Sequence, residues 1–165
     1  MVQEVVLILG GNLGDREQLI REAKQMLVSK ALIKGESSIF STEAWGGKAE
    51  GDFLNQVLLV STEEVPLKFL SFLQTIERDL GREREVTWGD RTMDIDILYW
   101  EDQEIQVPNL IIPHPHLHKR RFVLAPLAEL LPYWVHPKLN KNSLELLEAC
   151  EDESKVKKWK NKAAF

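Results

Sequence analysis

Apolar residues recur along this chain at two different spacings, and each spacing predicts a different type of element. Alternating or continuous apolar runs predict β-strands, over residues 3–9, 33–45, 53–62 and 93–100. Apolar residues three or four positions apart predict α-helices, over 15–30, from Pro66 to about Leu80, over 121–131 and from Ser143 towards Lys160. Asp15 at the start of the first helix favours the helix dipole, and Gly81 offers a C-terminal stop for the second.

Turn and loop residues separate these elements. The stretch "GGNLGDR" (10–16) predicts a tight turn after the first strand, and "EDQEIQVPNL" (101–110) predicts a hairpin return. Loops are expected at "GGKAEGD" (46–52) and over the charged residues 82–91. The element order is βαββαβ with C-terminal additions, which predicts an α+β, ferredoxin-like sandwich: an antiparallel sheet with flanking helices. Because such folds serve many functions, the function has to be argued from the site.

The composition fits one globular domain over residues 1–165. Hydrophobic residues make up 44% of the 165 residues, enough to bury a core of its own. A net charge of −5 and a pI of about 5.5 argue against broad binding to a nucleic-acid backbone, so we expect no nucleic-acid partner. A small anionic ligand remains compatible with this charge.

Neither the N-terminal apolar run nor the cysteine content indicates a membrane or an oxidising compartment. The run "VVLIL" (5–9), preceded by Glu4, is too short and wrongly charged for a signal or membrane segment. The single cysteine, Cys150, cannot form an internal disulfide, and we expect it to be a buried thiol in a reducing cytoplasm. We therefore expect a soluble, cytoplasmic protein.

An acidic pair on the fourth strand is the first candidate for chemistry. In a strand over 93–100, Asp94 and Asp96 project from one face because side chains alternate. The opposite, core-facing set is then Ile95, Ile97 and Tyr99. Two neighbouring carboxylates either form a solvated strand face or hold a hard cation such as Mg²⁺, which prefers a few carboxylates with water and phosphate oxygens. The residues alone leave both interpretations open.

Arginines close to the acidic pair indicate a phosphate ligand. The loop "GREREVTWGDR" contains Arg82, Arg84 and Arg91, and guanidinium groups bind phosphate oxygens in bidentate geometry. The same loop also contains acidic residues, so exposed ion pairs of little energy explain these arginines equally well.

A second cationic cluster lies in "PHPHLHKRRF", and it consists of His114, Lys119, Arg120 and Arg121. The histidines of this segment have no cysteine nearby and stand among prolines, which argues against a zinc site.

Four separated motifs, in order over roughly residues 3–135, carry a resemblance to a known family: "GGNLGDR", "STEAWGG…GDFLNQV", "GRERE…RTMDIDILYW" and "PHPHLHKRRFVLAPLAEL". Together they resemble 6-hydroxymethyl-7,8-dihydropterin pyrophosphokinase. The resemblance implies a ferredoxin-like fold, in agreement with the element order. It also implies transfer of the β,γ-pyrophosphoryl unit of ATP to the hydroxymethyl group of a reduced pterin, giving AMP and the pterin diphosphate used in folate synthesis.

The resemblance also implies roles for residues around ATP. Asp94 and Asp96 match two aspartates that hold two Mg²⁺ ions on the ATP phosphates. Arg82, Arg84 and Arg91 match loop arginines that close over the phosphates, and Arg82 and Arg91 join the aspartates as catalytic residues. The nucleotide-pocket positions are Gln74, Glu77, Arg84, Trp88, Ile97, His114 and Arg120.

On the pterin side, the resemblance implies a loop contact, a ring sandwich and an amide pairing. Phe53 and Phe122 match two aromatic residues that stack on the flat ring, and Asn55 matches an amide that pairs with the ring edge. The loop contacts are Thr42, Ala44 and Trp45.

Three positions depart from the family pattern. Thr87 stands where some relatives have arginine, Asp90 where a small residue or proline is usual, and Gly11 where serine is common. An acidic side chain at Asp90 would repel the triphosphate or pair with Arg91, so it bears on nucleotide affinity and loop closure.

Two alternatives remain beside the pyrophosphokinase hypothesis. One is a nucleotidyl- or phosphotransferase that uses another small alcohol, and the other is a regulatory module that binds nucleotide without turnover. The partners expected are small-molecule substrates for a monomeric protein. The C-terminal lysines are expected to form a solvated helix face.

Overall fold

A long central strand, β1 (Gln3–Gly11), organises the computed structural model, which describes residues 1–43, 52–81 and 92–159. It pairs antiparallel with β4 (Phe53–Thr62) on one side and with β5 (Asp94–Trp100) on the other. Alternate residues of its middle face two separate clusters of apolar side chains, so both faces of the strand are buried. A continuous apolar run is typical of a strand covered on both faces.

The rest of the main sheet extends beyond β4. Both β2 (Leu32–Glu36) and β3 (Phe40–Thr42) pair with β4, and β8 (Val156–Lys158) pairs with β3. The sheet order is β5-β1-β4-β3-β8, with β2 also beside β4. The one strand predicted over 33–45 is thus two strands. They separate at Ser37, whose Oγ accepts the backbone N–H of Val57 at 3.0 Å in place of a ladder bond.

Helices cover both faces of this sheet. On one face α1 (Arg16–Leu27) and α2 (Pro66–Asp79) pack on β1, while α3 (Arg121–Leu130) and α4 (Ser143–Ala149) pack on the other. The predicted helix signals are present: Asp15 caps α1, and Gly81 follows α2 with a φ of +98°. No helix within the described ranges is long and apolar enough to cross a membrane.

A separate hairpin lies beyond the sheet edge at β5. It consists of β6 (Ile105–Val107) and β7 (Leu110–Ile112), which pair with each other as a two-stranded sheet. The N–H of His114, just after this hairpin, donates to the carbonyl of Leu98 at 3.0 Å, which attaches the hairpin's exit to β5.

A bulge in β5 corrects the predicted core-facing set. Opposite Val6 and Leu7, strand β5 places Tyr99 and Ile97, so Leu98 is an extra residue and the alternation shifts there. Ile97 therefore remains in the cluster under α1 and α2, whereas Tyr99 packs in the cluster under α3. The prediction that Tyr99 shares the face of Ile97 was wrong, because period-two reasoning cannot detect an inserted residue.

The prediction of a C-terminal helix from Ser143 towards Lys160 is confirmed over the first turns and was wrong beyond them. The helix α4 ends at Ala149, and the chain then runs extended into β8. Asp152 holds this exit, since its Oδ2 accepts the N–H of Arg121 at 3.0 Å and its Oδ1 accepts the N–H of Ser154 at 2.9 Å. Cys150, expected to be buried, is partly exposed.

A capping box begins α4, and its removal is expected to lower stability without touching the candidate site. Asn142 Oδ1 accepts the N–H of Glu145, and Glu145 Oε1 accepts the N–H of Asn142, both at 2.9 Å. We expect Asn142→Ala to reduce the free energy of unfolding by about 1 kcal/mol because the N–H of Glu145, in the first turn of the helix, loses its acceptor. Urea denaturation of this variant beside Lys141→Ala, an exposed neighbour, measures the effect; an unchanged midpoint in Asn142→Ala contradicts it.

Candidate active site

The acidic pair occupies the beginning of the edge strand β5. Asp94 lies opposite Gly10 of β1, and Asp96 lies opposite Ile8, in unbroken register. Two residues apart on a regular stretch, both carboxylates leave the same face. Asp94 is partly buried, and the side chain of Asp96 is 52% exposed, so this face is accessible to a ligand.

A histidine from the segment after the hairpin approaches the pair. His114 Nε2 lies 4.0 Å from Asp96 Oδ2, and His114 Nδ1 accepts the N–H of His116 at 3.2 Å. Burial, together with the charges of Arg120 and His116, lowers the pKa of His114 to about 4. The ring is therefore neutral at pH 7, and its approach to Asp96 is a polar contact rather than an ion pair. Because Nδ1 accepts a hydrogen bond, the proton of the neutral ring is on Nε2, facing the carboxylate.

Behind the pair, α2 provides a buried carboxylate. Glu77 is 5% exposed, and its Oε2 accepts the N–H of Ile95 at 2.7 Å. Ile95 is the residue between the two aspartates. A buried carboxylate is stable only when it is well hydrogen-bonded, so this contact ties the helix to the peptide that separates the pair.

A glycine connects the acidic pair to the polar end of β4. Gly10 lies between Asp94 on one neighbouring strand and Asn55 on the other. A Cβ atom built on Gly10 would lie 2.1 Å from Asn55 Oδ1 and 2.2 Å from the carbonyl oxygen of Leu54. The side chain of Asn55 thus crosses the place where any other residue would have its own side chain. The prediction of a tight turn at Gly10 and Gly11 was wrong: both belong to β1, and the bend follows them.

Two residues predicted to contact the pterin flank this row on β3 and β4. Thr42 pairs with Phe53 across the strands, and Phe40 pairs with Asn55. Thr42 and Asn55 are 6% and 8% exposed, while Phe53 is partly exposed. Thr42 Oγ1 is buried and has no hydrogen-bond partner among the described residues. A buried hydroxyl without a partner is costly, so a ligand that supplies one is favoured there.

The C-terminal segment supports the beginning of β4. Arg16 Nη1 donates to the carbonyl of Asp52 at 2.7 Å, and its guanidinium lies 5.1 Å from the ring centroid of Trp159. The indole N–H of Trp159 donates to Glu17, and its backbone N–H donates to Ile39 at 2.8 Å. Residues near both ends of the chain therefore fix the residue that precedes Phe53.

The remaining predicted site residues fall into three groups. Arg120 and Phe122 lie at the start of α3, with the guanidinium 5.8 Å from the ring centroid, and both are partly buried. Gln74 is exposed on α2, while Ile97 is 4% exposed and packs in the core, so only its backbone can face a ligand. The predicted residues that lie outside the described ranges are Ala44, Trp45, Arg82, Arg84, Trp88 and Arg91, together with the departures Thr87 and Asp90.

A cavity of about 340 Å³ opens beside His114. Its walls are the β6–β7 hairpin, Pro113 to Pro115, His118 and the loop 136–139. Burial is the largest cause of a lowered pKa at His118 and at His136, so these rings are neutral at pH 7 as well. The cavity therefore combines apolar side chains and neutral imidazoles with the charged residues Glu104 and Lys138.

The donor set of the acidic pair suits a cation that needs few protein ligands. Over residues 1–43, 52–81 and 92–159, no three His, Cys, Asp or Glu side chains are arranged to hold a metal ion. Two aspartates on one open face match the preference of Mg²⁺ for one or two carboxylates plus water and phosphate oxygens. The arrangement does not match the closed sets of four nitrogen and sulfur ligands that hold structural zinc.

Comparison with protein families gives a match over most of the chain. Residues 6–132 match the family described as 7,8-dihydro-6-hydroxymethylpterin-pyrophosphokinase (HPPK). A 2-amino-4-hydroxy-6-hydroxymethyldihydropteridine pyrophosphokinase of Bacillus subtilis is 38% identical over 159 residues, covering 95% of this chain and 90% of the relative. The enzyme of the same name from Aquifex aeolicus is 39% identical, covering 81% of this chain and 83% of the relative.

Two further comparisons involve longer proteins. The bifunctional protein FolKE of Lactococcus lactis is 42% identical over 132 residues, which cover 79% of this chain and 38% of that protein. A crystal structure of Plasmodium falciparum HPPK-DHPS with pteroate superposes with a TM-score of 0.72 at 18% identity, covering 90% of this chain and 42% of that one. At that identity the likeness concerns the fold alone, and it supports the ferredoxin-like α+β sandwich predicted from the sequence.

The close approach at Gly10 predicts that this position tolerates no side chain. We expect Gly10→Ala to be strongly destabilised, because the new methyl group meets the Leu54 backbone as well as the Asn55 side chain. Gly35→Ala is the matched control in β2, since its Cβ would meet only the flexible end of Leu130, at 3.3 Å. Urea denaturation of both variants tests this, and a Gly10→Ala midpoint equal to that of Gly35→Ala contradicts the close packing.

Proposed function

The chain belongs to the 7,8-dihydro-6-hydroxymethylpterin-pyrophosphokinase family, and from that premise we propose that the row Asn55, Gly10 and Asp94 is the centre of its active site. The protein is an ATP-dependent diphosphokinase that transfers a pyrophosphoryl group to 6-hydroxymethyldihydropterin in folate biosynthesis. The site proposal rests on this row. Asn55, which is predicted to contact the pterin, and Asp94, the first residue of the acidic pair, lie on either side of Gly10, which has no side chain.

The reaction needs position and charge rather than a nucleophilic side chain. The hydroxymethyl oxygen of the pterin attacks the β-phosphorus of ATP and loses its proton, while the bond between that phosphorus and the α,β-bridging oxygen breaks. The products are the pterin diphosphate and AMP, so one P–O bond forms for the one that breaks. Catalysis of such a step comes from alignment of the two substrates and from stabilisation of the phosphate charge.

Asp94 and Asp96 are the proposed magnesium ligands, with two ions as the full complement. Bound magnesium neutralises phosphate charge and orients the oxygens of the triphosphate. The two aspartates supply a compact negative charge on one accessible face, and the neutral ring of His114 can donate its Nε2–H to a phosphate oxygen without competing for the cation. Arg120, at the start of α3, adds a permanent positive charge next to this histidine.

The nucleotide is proposed to run from the acidic pair past His114 towards the cavity beside the hairpin. Support comes from the volume of the cavity, about 340 Å³, and from its combination of apolar side chains, neutral imidazoles and a few polar or charged groups. Gln74, Glu77 and the backbone of Ile97 are the further nucleotide-pocket candidates on the described ranges. Arg82, Arg84, Trp88 and Arg91 are proposed to cover the phosphates, with Arg82 and Arg91 supporting transfer; this rests on the sequence motif alone.

The pterin is proposed to lie at the ends of β3 and β4. Asn55 can offer both an acceptor and donors to the ring edge, and Thr42 has a buried hydroxyl that lacks a partner in the described part of the chain. Phe53 and Phe122 are the candidate stacking residues on its two faces. The motif adds Ala44 and Trp45 as loop contacts.

We further propose a single-domain, monomeric, cytoplasmic enzyme over residues 1–165. The chain spans 90% of the Bacillus subtilis relative, which supports one catalytic unit. Longer relatives such as FolKE, of which the chain spans 38%, carry additional sequence that this chain does not match.

Product analysis tests the reaction class and the magnesium ligands together. With ATP, Mg²⁺ and 6-hydroxymethyldihydropterin, the wild type is expected to release AMP in step with pterin diphosphate, whereas release of ADP would indicate a phosphotransferase. We expect Asp96→Ala to lower kcat at least about 100-fold, because the cations lose one of two protein ligands. Asp102→Ala, which removes an exposed carboxylate after β5, is the control. Normal AMP release by Asp96→Ala contradicts the assignment.

The buried hydroxyl of Thr42, for which the described residues offer no hydrogen-bond partner, gives a second prediction. Thr42→Val keeps the shape of the side chain and removes only the hydroxyl, so the folded protein should be no less stable than the wild type. The KM for the pterin should rise about tenfold while the KM for ATP stays unchanged, because one hydrogen bond to the pterin is lost. Steady-state kinetics with either substrate varied measure this, with Thr75→Val on α2 as the control. A pterin KM equal to that of wild type contradicts the contact.

A further inference from the structure

The buried carboxylate of Glu77 contacts the peptide group between the two proposed magnesium ligands. Its Oε2 lies 2.7 Å from the backbone nitrogen of Ile95, and the residue is only 5% exposed. The distance is that of a direct N–H···O hydrogen bond, in which the side-chain oxygen of Glu77 is the acceptor. The family motif places this residue in the nucleotide pocket, but this contact is with the protein's own backbone.

The position of β5 explains why this peptide needs such a partner. The strand is at the edge of the main sheet, and Ile95 pairs with Leu9 of β1 on its inner side. An edge strand directs some of its N–H groups away from the sheet, where no neighbouring strand accepts them. Ile95 is 4% exposed, so water is also largely excluded there. A buried N–H without an acceptor is rare in folded proteins, and Glu77 supplies the acceptor from α2.

The same peptide determines the directions of both aspartate side chains. Asp94 and Asp96 flank Ile95, and their separation across the face depends on the backbone angles of that one residue. The strand becomes irregular soon afterwards, with the bulge at Leu98, so the regular ladder to β1 holds the acidic pair over only a short stretch. A fixed point from the helix on the outer side of Ile95 therefore limits how far the two carboxylates can move apart.

We propose that Glu77 is a positioning residue for the magnesium site: it holds the Ile95 peptide so that Asp94 and Asp96 present their carboxylates at a fixed separation. The inference rests on the proposed magnesium ligands. Glu77 acts as a hydrogen-bond acceptor, and the required feature is an oxygen at that position rather than a negative charge. Glu77→Gln retains such an oxygen, whereas Glu77→Ala removes it.

The first readout is the backbone amide of Ile95, followed by hydrogen exchange in NMR spectra without metal or nucleotide. We expect exchange at Ile95 to accelerate at least about tenfold in Glu77→Ala relative to Leu9 on β1, because only the former amide loses its acceptor. The Glu77→Gln variant should exchange like the wild type. Asp79→Ala removes an exposed carboxylate from the last turn of the same helix and is the control for charge and helix stability.

The second readout is the affinity for Mn²⁺, measured by electron paramagnetic resonance with a nonhydrolysable ATP analogue. Loss of a group that orients metal ligands typically weakens metal binding about 10- to 100-fold, and we expect a change of this size in Glu77→Ala. Glu77→Gln, which keeps an acceptor oxygen, should lose less affinity than Glu77→Ala, and Asp79→Ala should bind Mn²⁺ like the wild type. Equal losses in Glu77→Gln and Glu77→Ala would show that the charge matters rather than the hydrogen bond, and would overturn the proposal.

Asp96→Ala, measured in the same titration, separates this proposal from the metal site itself. Unchanged Mn²⁺ affinity in Asp96→Ala overturns the magnesium ligands and, with them, a positioning role. Weakened binding in Asp96→Ala with wild-type binding in Glu77→Ala overturns the positioning role alone. Weakened binding in both, with accelerated exchange at Ile95 only in Glu77→Ala, supports it.

Discussion

The close approach of Asn55 to Gly10 is the constraint on which the arrangement of the site depends. Three neighbouring strands contribute one residue each to a row, and the middle residue has no side chain. The Asn55 side chain fills the space where a Cβ would lie, 2.1 Å from its oxygen. A packed interior has no room for an added methyl group at this position. The proposed pterin and magnesium positions lie on neighbouring strands, so the distance between them is determined by the sheet rather than by loops. The backbone positions of Asn55, Gly10 and Asp94 are therefore fixed by the packing of the sheet.

Electrostatics complements this geometry. Two aspartates lie on one face of an edge strand, and a third carboxylate, that of Glu77, is buried behind them. The nearest histidine is neutral because burial and the adjacent Arg120 lower the pKa of His114. The two aspartates are proposed to bind cations, and Arg120 is proposed to interact with phosphate. Such a separation of roles suits a substrate that brings four negative charges of its own and needs them neutralised by metal and arginine together.

Much of the fold follows from local sequence rules, and the exceptions have physical causes. The helix α1 begins directly after its predicted cap, Asp15, and α2 ends close to its predicted stop, Gly81. Both signals are readable because helix caps are formed by residues close in sequence. The bulge at Leu98 and the strand β8 were missed because both depend on pairing partners distant in sequence. For the same reason, "GGN" was interpreted as a turn. A glycine required by a side chain on the neighbouring strand has the same local signature as a glycine required by a bend.

Local sequence patterns predict only part of the candidate site. The alternation of Asp94 and Asp96 is visible in the sequence, but it is equally typical of a solvated face, and the ordered set of four motifs was needed to favour a site. Nothing local identifies Glu77 as the partner of Ile95, since 18 residues separate them. The Arg16 contact with Trp159 joins residues near opposite ends of the chain and is equally invisible. Sequence patterns propose the ligand-binding residues, whereas the contacts proposed to hold them in place are visible only in the structure.

A crystal structure with Mn²⁺, a nonhydrolysable ATP analogue and the pterin, using anomalous scattering to locate the metal, tests the central claim most directly. The expected result is manganese bound to carboxylate oxygens of both Asp94 and Asp96, with the hydroxymethyl group of the pterin above Gly10. Manganese on the phosphates without contact to either aspartate, or a pterin bound away from Gly10 and Asn55, would contradict the account.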